Sequence, residues 1–486
     1  MNTVQRIAKN TGVLLFAQIA SYILGFFFVM YTARYLGAAG FGILSFALAF
    51  TGIFGVFSDL GLQQLTVREV ARDKTLASKY LGNITVMKII LVIITFGLIA
   101  LFINLLGYPE QTIKVVYLVA LSVIFGAFSN MFNSIFQAYE KMEYVSVGRI
   151  LSSALMLAGA LFAISQGFSV VGFASIYFIV SAIVLAYSTV ICVWKFAKPK
   201  MEVDWCFWKR SIKEAWPMGG MAILIMIYFR IDTVMLSLMK GDTAVGLYSA
   251  AYRLSETSTV IPSMFMASVF PVLSRYHKDS TSSFTSTYGK SVKYLLYLAL
   301  PMALTVTLLS RPIVNLVYGS EFSGSVIALQ ILIWAAAIMY VTMVQGTTIV
   351  TADRQMFSFK VCAVTAVLNV ILNLIVIPKY SYIGASATTV ATEAFGLFVG
   401  IFFLNKWGYK LNLISTYLPP LLGLCTAGAL AIILINMSIN IFIILMVIIV
   451  IYGVLVYKMG IKEDDKQLIR NIFNFSNIKA SWRRLP

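Results

Sequence analysis

Windows of about 20 predominantly apolar residues, the length an α-helix needs to cross a bilayer, recur along this chain from one end to the other. They fall near residues 11–33, 42–63, 82–106, 113–137, 147–166, 169–194, 213–238, 246–272, 287–310, 324–350, 357–377, 382–405, 415–436 and 439–459. The longest connection runs only from Trp194 to Lys213, so no soluble domain is inserted between them. Of the 486 residues, 60% are hydrophobic and 12% are charged, against about 25% charged in ordinary soluble domains. A chain this apolar has too little polar surface for water, whereas lipid accepts apolar side chains facing outward. The expectation is an all-α integral membrane protein with about 14 transmembrane helices. The first window follows Arg6 and Lys9 and continues past Tyr31. It is longer than the apolar core of a cleaved signal peptide and reads as a spanning helix.

The positive charges test that count. With the N-terminus on the cytoplasmic side, 29 of the 37 Lys and Arg residues fall on cytoplasmic segments. The external loops hold only Arg34, Lys114, Lys240, Arg311 and Lys379, while Lys88, Arg230 and Arg253 lie within helices. This positive-inside bias predicts two cytoplasmic termini. It also accounts for the net charge of +18 through anionic lipid, without nucleic acid. Cys192, Cys206, Cys362 and Cys425 are scattered and read as small apolar residues, with neither a disulfide framework nor a zinc site. The one histidine, His277, reads as a solvated loop residue, and no metal site is expected.

The chain also repeats itself. Leu36 to Ala47 aligns with Lys240 to Ala251 at an offset of 204, placing Gly37 on Gly241, Gly42 on Gly246 and Ser45 on Ser249. Gly82 meets Gly289, and the stretch around Gly172 meets that around Gly384, at slightly larger offsets. Six helices per half is an even number, so the halves share one orientation, as in parallel transporter repeats. The expected organisation is an N-terminal six-helix lobe over 1–200, a C-terminal six-helix lobe over 201–406, an extra helix pair over 407–460 and a cytoplasmic tail over 461–486.

Several segments carry a family resemblance. Ala33-Arg34-Tyr35-Leu36-Gly37, Ser58-Asp59-Leu60-Gly61-Leu62 with Arg68-Glu69, Arg230-Ile231-Asp232 with Gly246 to Arg253, and Asn369/Asn373 followed by Ile377-Pro378 and Gly384-Ala385 resemble the polysaccharide-unit flippases. These are the Wzx-type branch of the multidrug/oligosaccharidyl-lipid/polysaccharide exporter superfamily. The resemblance implies a two-lobed, alternating-access carrier that moves a lipid-pyrophosphate-linked oligosaccharide to the outer leaflet for O-antigen, capsule or exopolysaccharide synthesis. It also implies membrane lipids and a polysaccharide polymerase as partners. A peptidoglycan-precursor flippase and a multidrug exporter of the same superfamily remain as alternatives. A polytopic glycosyltransferase or polymerase is the competing class; the external stretches 107–112 and 311–323 are short, and 107–112 offers only Glu110. There is no Walker loop for an ATP-driven pump.

Charges inside spanning helices are the most informative candidates, because one at the bilayer centre costs about 2.5–3.5 kcal/mol on insertion scales. Arg230, Arg253, Lys88, Arg34 and Arg311 are candidate ligands for a pyrophosphate head group, which the planar guanidinium suits through parallel hydrogen bonds. For Arg34 and Arg311, near the membrane surface, snorkelling is the competing reading. Arg253 and Glu256 are three apart and could pair along one helix. Asp232, Glu256, Glu393 and Asp59 are candidates to bind a coupling proton or sodium ion, or else to neutralise an arginine. Asn133, Gln137, Gln345, Asn369 and Asn373 could line a polar cavity or hold helices together.

Overall fold

The computed structural model describes residues 3–199, 202–437 and 439–460. The expected tail at 461–486 lies outside the described residues. Among those described every regular element is helical: α1 (Thr3–Gly55), α2 (Leu62–Arg72), α3 (Ala77–Leu105), α4 (Glu110–Ala138), α5 (Met142–Ser165), α6 (Val170–Lys195), α7 (Trp205–Lys240), α8 (Asp242–Ser258), α9 (Val260–Asp279), α10 (Thr281–Val317), α11 (Ser325–Thr351), α12 (Gln355–Lys406), α13 (Leu413–Asn436) and α14 (Ile441–Met459). Eleven helical stretches of the described chain are long and apolar enough to cross a membrane, with the shorter apolar Ile443–Met459 in addition.

Two of those stretches, Lys9–Ser58 and Gln355–Lys406, have 50 and 52 residues, where one crossing needs about 20. Each is broken where a single residue leaves helical geometry: Gly37 at φ 68° and Ser381 at φ 53°. The sequence windows end and restart at the same places, so each long helix carries two apolar segments. One further break differs from expectation. The window over 246–272 spans two helices, α8 and α9, which part at Thr259.

The chain divides into two compact units. The first comprises Met1–Arg253, Arg311–Ala328 and Phe359–Thr389; the second comprises Leu254–Ser310, Leu329–Ser358 and Val390–Pro486. In the first unit one core gathers Leu62, Leu81, Ile84, Ile135, Phe136 and Trp208, and a second joins Phe28 to Ala160, Ala163 and Phe173. In the second unit Phe284, Tyr288, Val292, Tyr340, Leu404 and Tyr452 pack together. Large apolar side chains also cover the outside, Phe16, Ile93 and Phe398 among them, a surface that only lipid tolerates.

The segments aligned by sequence share local backbone features. Gly37 and Gly241, aligned by sequence, share one unusual conformation, φ 68° with ψ 179° and φ 80° with ψ −178°, open to glycine because it lacks a Cβ. Five residues after each, Gly42 and Gly246 bring α1 and α8 into backbone contact. A Cβ on Gly42 would collide with the carbonyl of Asp242, and one on Gly246 with the carbonyl of Ala38. Ala38 and Asp242 are themselves an aligned pair, so the contact is reciprocal. A second glycine contact joins the turn before α2 to α7: a Cβ on Gly61 would lie 2.7 Å from the Ala215 carbonyl oxygen, and one on Gly219 2.7 Å from that of Leu60.

Candidate functional site

Within the first unit, α7, α8 and α12 converge on one buried carboxylate. Asp232 sits on α7 at 3% exposure. Its Oδ1 accepts a hydrogen bond from Asn373 Nδ2 at 2.6 Å, and its Oδ2 accepts from Tyr248 Oη at 2.9 Å and from Thr389 Oγ1 at 3.0 Å. Asn373 also donates to Asn369 Oδ1 at 3.0 Å, one helical turn away on α12. Thr389 bonds back to the Ala385 carbonyl at 3.0 Å. Each of these partners is neutral. Asn373 Oδ1 is buried and receives no hydrogen bond, an uncommon state for a buried amide oxygen.

Sequence reasoning named Asp232, Asn369 and Asn373, and the structure brings those three together. It missed Tyr248 and Thr389. Tyr248 lies inside the repeated block and is fully enclosed; a tyrosine hydroxyl in an otherwise apolar helix face was the available signal, because such a hydroxyl needs a partner when buried. Thr389, among the small residues of 385–392, reads like helix-packing sequence and carries no comparable mark.

Two further candidates meet each other. Lys88, on α3, is completely buried, and its Nζ lies 2.6 Å from Asp59 Oδ1 while donating to the Ala127 carbonyl at 3.1 Å. Asp59 Oδ2 also accepts from the backbone N–H of Gln63 in the first turn of α2 at 3.3 Å. A head-group reading of Lys88 and an ion-coupling reading of Asp59 therefore concern one joined pair. Removing the acid leaves a buried ammonium, so Asp59→Ala is expected to destabilise the protein by about 3–5 kcal/mol. Lys88→Met, which leaves an acid that is still partly exposed and capping α2, should cost less. Thermal unfolding of both variants in detergent checks the asymmetry; equal effects would mean that the buried charge is not what the pair controls.

The remaining candidates are dispersed. Arg34 donates from Nε to the Val317 carbonyl at 2.9 Å and from Nη2 to that of Leu316, the last carbonyls of α10, where a cation opposes the helix dipole. Beside it, Glu321 accepts from the Ala38 N–H at 3.1 Å. Arg311 is exposed, and Arg230 on α7, Arg253 on α8, and Asn133 and Gln137 on α4 are half-buried. In the second unit Glu256 is half-buried, while Glu393 is buried and accepts from Thr342 Oγ1 at 3.3 Å. Gln345 donates to the Leu397 carbonyl at 3.3 Å, with the bare backbone of Gly400 facing its amide. His277 lies near the end of α9 rather than in a loop, with Nε2 3.9 Å from Asp353. All four cysteines are free thiols.

The start of α7 is fixed by groups that do not stand out in the sequence. Asp204 caps it by accepting from the Phe207 N–H at 3.0 Å. That bond, followed by Lys79, holds the Asp204 carboxyl below the usual carboxylate range. Fully buried Asn83 accepts both from the Asp204 N–H at 3.0 Å and from the Trp208 indole at 3.1 Å. Glu214 pairs with Arg210 at 3.0 Å and with Arg68 of α2.

A bundle of long apolar helices enclosing a hydrogen-bonded carboxylate defines a multi-pass membrane protein of the transporter class. The chain belongs to the polysaccharide biosynthesis protein family, which it matches over residues 7–277, and residues 217–375 also match the MatE family. It is 22% identical over 412 residues to a protein of Haloferax volcanii described as a probable low-salt glycan biosynthesis flippase, covering 82% of this chain and 84% of that one. It is likewise 22% identical over 409 residues to a capsular polysaccharide biosynthesis protein of Staphylococcus aureus, covering 82% and 99%. Among solved structures, the lipid II flippase MurJ in an inward closed conformation superposes with a TM-score of 0.72 at 16% identity, over 90% of this chain and 97% of that one. An inward-facing multidrug resistance MATE transporter gives 0.66 at 16% identity, over 79% and 94%. These two likenesses establish the fold.

Proposed function

We propose that the protein is a flippase for a lipid-pyrophosphate-linked oligosaccharide, working by alternating access in the cytoplasmic membrane and supplying polysaccharide assembly. Similarity along most of the chain to proteins of glycan and capsule synthesis carries this reading. In it the chain crosses the membrane fourteen times with both termini cytoplasmic, as the positive-inside bias supports. The two lobes are the repeats over 1–200 and 201–406, and the protein acts as a transporter rather than an enzyme. Arg230 and Arg253, on consecutive helices of the second repeat, attract the pyrophosphate. A polymerase that consumes the flipped unit is the expected partner.

The buried Asp232 site is the proposed seat of ion coupling. Its donors are oxygen atoms of a carboxylate, amides, hydroxyls and a carbonyl, which suit a hard cation such as sodium; the carboxylate could instead carry a proton. Replacing sodium by choline at constant pH in a transport assay separates the two, since only a sodium site loses activity.

Deleting the gene in its native host and measuring lipid-linked sugar units on each side of the membrane tests the function. Intact units should accumulate on the cytoplasmic side, with rescue by the wild-type chain and not by Arg230→Ala. Units that cross normally but stay unpolymerised would overturn the flippase reading in favour of a membrane enzyme.

A further inference from the structure

The outside of the first unit holds a crevice of about 130 Å³ whose walls present only apolar atoms. Its sides come from Leu60 before α2, Met87 and Ile90 on α3, and Trp208, Ile212 and Trp216 on α7. Ile90, Ile212 and Trp216 are exposed, so the crevice opens outward, whereas Trp208 is 7% exposed and forms a deep wall. Hydrogen bonding of the Trp208 indole to buried Asn83 fixes that wall in place. An apolar concavity gains nothing from water, which needs polar partners, and on two helices long and apolar enough to cross a membrane it suits an acyl chain.

Basic residues flank the α7 wall of the crevice along the helix. Lys209 follows Trp208 and Lys213 follows Ile212, so each basic side chain sits one residue beyond a wall residue. Both are exposed, and among the described residues neither forms an ion pair. Arg210, by contrast, is already engaged by Glu214. Trp205 and Trp216, both exposed, bracket about three turns of α7 with the amphipathic rings that settle in the membrane interface. Lysines at that depth attract anionic headgroups.

We propose that this crevice binds an anionic glycerophospholipid of the surrounding leaflet, with part of one acyl chain between α3 and α7 and its phosphate at Lys209 and Lys213. The crevice has room for only a short length of chain, so the rest of the lipid stays in the leaflet, as for an annular lipid held in a fixed place. The occupant would press on Leu60, whose carbonyl is the close neighbour of Gly219, and would brace the glycine contact between the α2 turn and α7. The site is independent of the transported substrate.

The test uses the full chain in phosphatidylcholine nanodiscs doped with phosphatidylglycerol that carries a diazirine on its acyl chain. After irradiation, adducts mapped by mass spectrometry should concentrate on residues 87–91 and 208–216, about fivefold above the exposed face of α5. Ile90→Trp and Ile212→Trp, both at exposed positions, should fill the mouth and remove that excess while the protein still elutes as a folded species. The double variant Lys209→Gln/Lys213→Gln should keep the acyl adducts but lose the preference over a phosphatidylcholine probe of the same chain. Even labelling over all lipid-facing helices would overturn the site, and equal labelling by the two headgroups in the wild type would overturn its anionic character. Labelling by a diazirine-bearing polyprenyl phosphate without labelling by phosphatidylglycerol would overturn the phospholipid and make the crevice a subsite for the carried lipid.

Discussion

Asp232→Asn is expected to lower the proposed ion-driven transport by about 5- to 150-fold, the range spanned by coupling free energies of 1–3 kcal/mol. Asparagine keeps the size of aspartate and one acceptor oxygen, so Asn373 retains its partner. The other oxygen becomes an NH₂ group facing the hydroxyls of Tyr248 and Thr389, which can turn to accept from it. The pocket should therefore survive with a stability change within about 1–3 kcal/mol, while the one ionisable group in the cluster besides the phenol is gone. Transport measured in vesicles with and without the driving gradient, beside thermal unfolding of the same variant, separates coupling from folding. If the variant responds to the gradient as the wild type does, Asp232 does not bind the coupling ion. Thr389→Val, which removes one of three donors to the carboxylate, should have a smaller effect in the same direction.

The second large effect is expected at the crossing of α1 and α8. Side chains inserted into a filled space usually cost about 1–3 kcal/mol, because neighbouring side chains rotate away. Here the atoms in the way are the carbonyls of Ala38 and Asp242, which cannot rotate without moving a helix. Gly42→Val and Gly246→Val should each exceed that range, with loss of most of the folded protein after mild heating in detergent. Gly97→Val is the control: it lies in an apolar helix, with nothing within 4 Å of the added carbon. Size-exclusion profiles before and after heating read the difference. Survival of Gly246→Val comparable to that of Gly97→Val would show that the two helices can part at this point without cost.

The helices were legible because a membrane span is written locally, as an uninterrupted apolar run of fixed length. The breaks at Gly37 and Ser381 were legible for the same reason, as short interruptions in that run. Long-range pairing was not. Lys88 and Asp59 are 29 residues apart, each plausible as a lone functional charge, and only the packing of α3 against the start of α2 joins them. Arg34 meets carbonyls 282 and 283 residues away, a backbone partnership that no side-chain pattern announces. Within the Asp232 cluster, the carboxylate and the two asparagines stood out as polar groups in apolar helices. Thr389 did not, because many threonines of this chain bond only to their own helix, as Thr51, Thr66 and Thr95 do. Spotting it would have required knowing which helix faces α7.

The reciprocal contact of Gly42 and Gly246 has the form of an interface between two copies of one subunit. In such a dimer each copy offers the same patch, and any change in that patch acts twice. Here both faces belong to one chain, and each segment presents its glycine to the aligned carbonyl of the other. In one chain a substitution alters one side alone, so the two sides can be varied separately to learn which of them the crossing of α1 and α8 depends on.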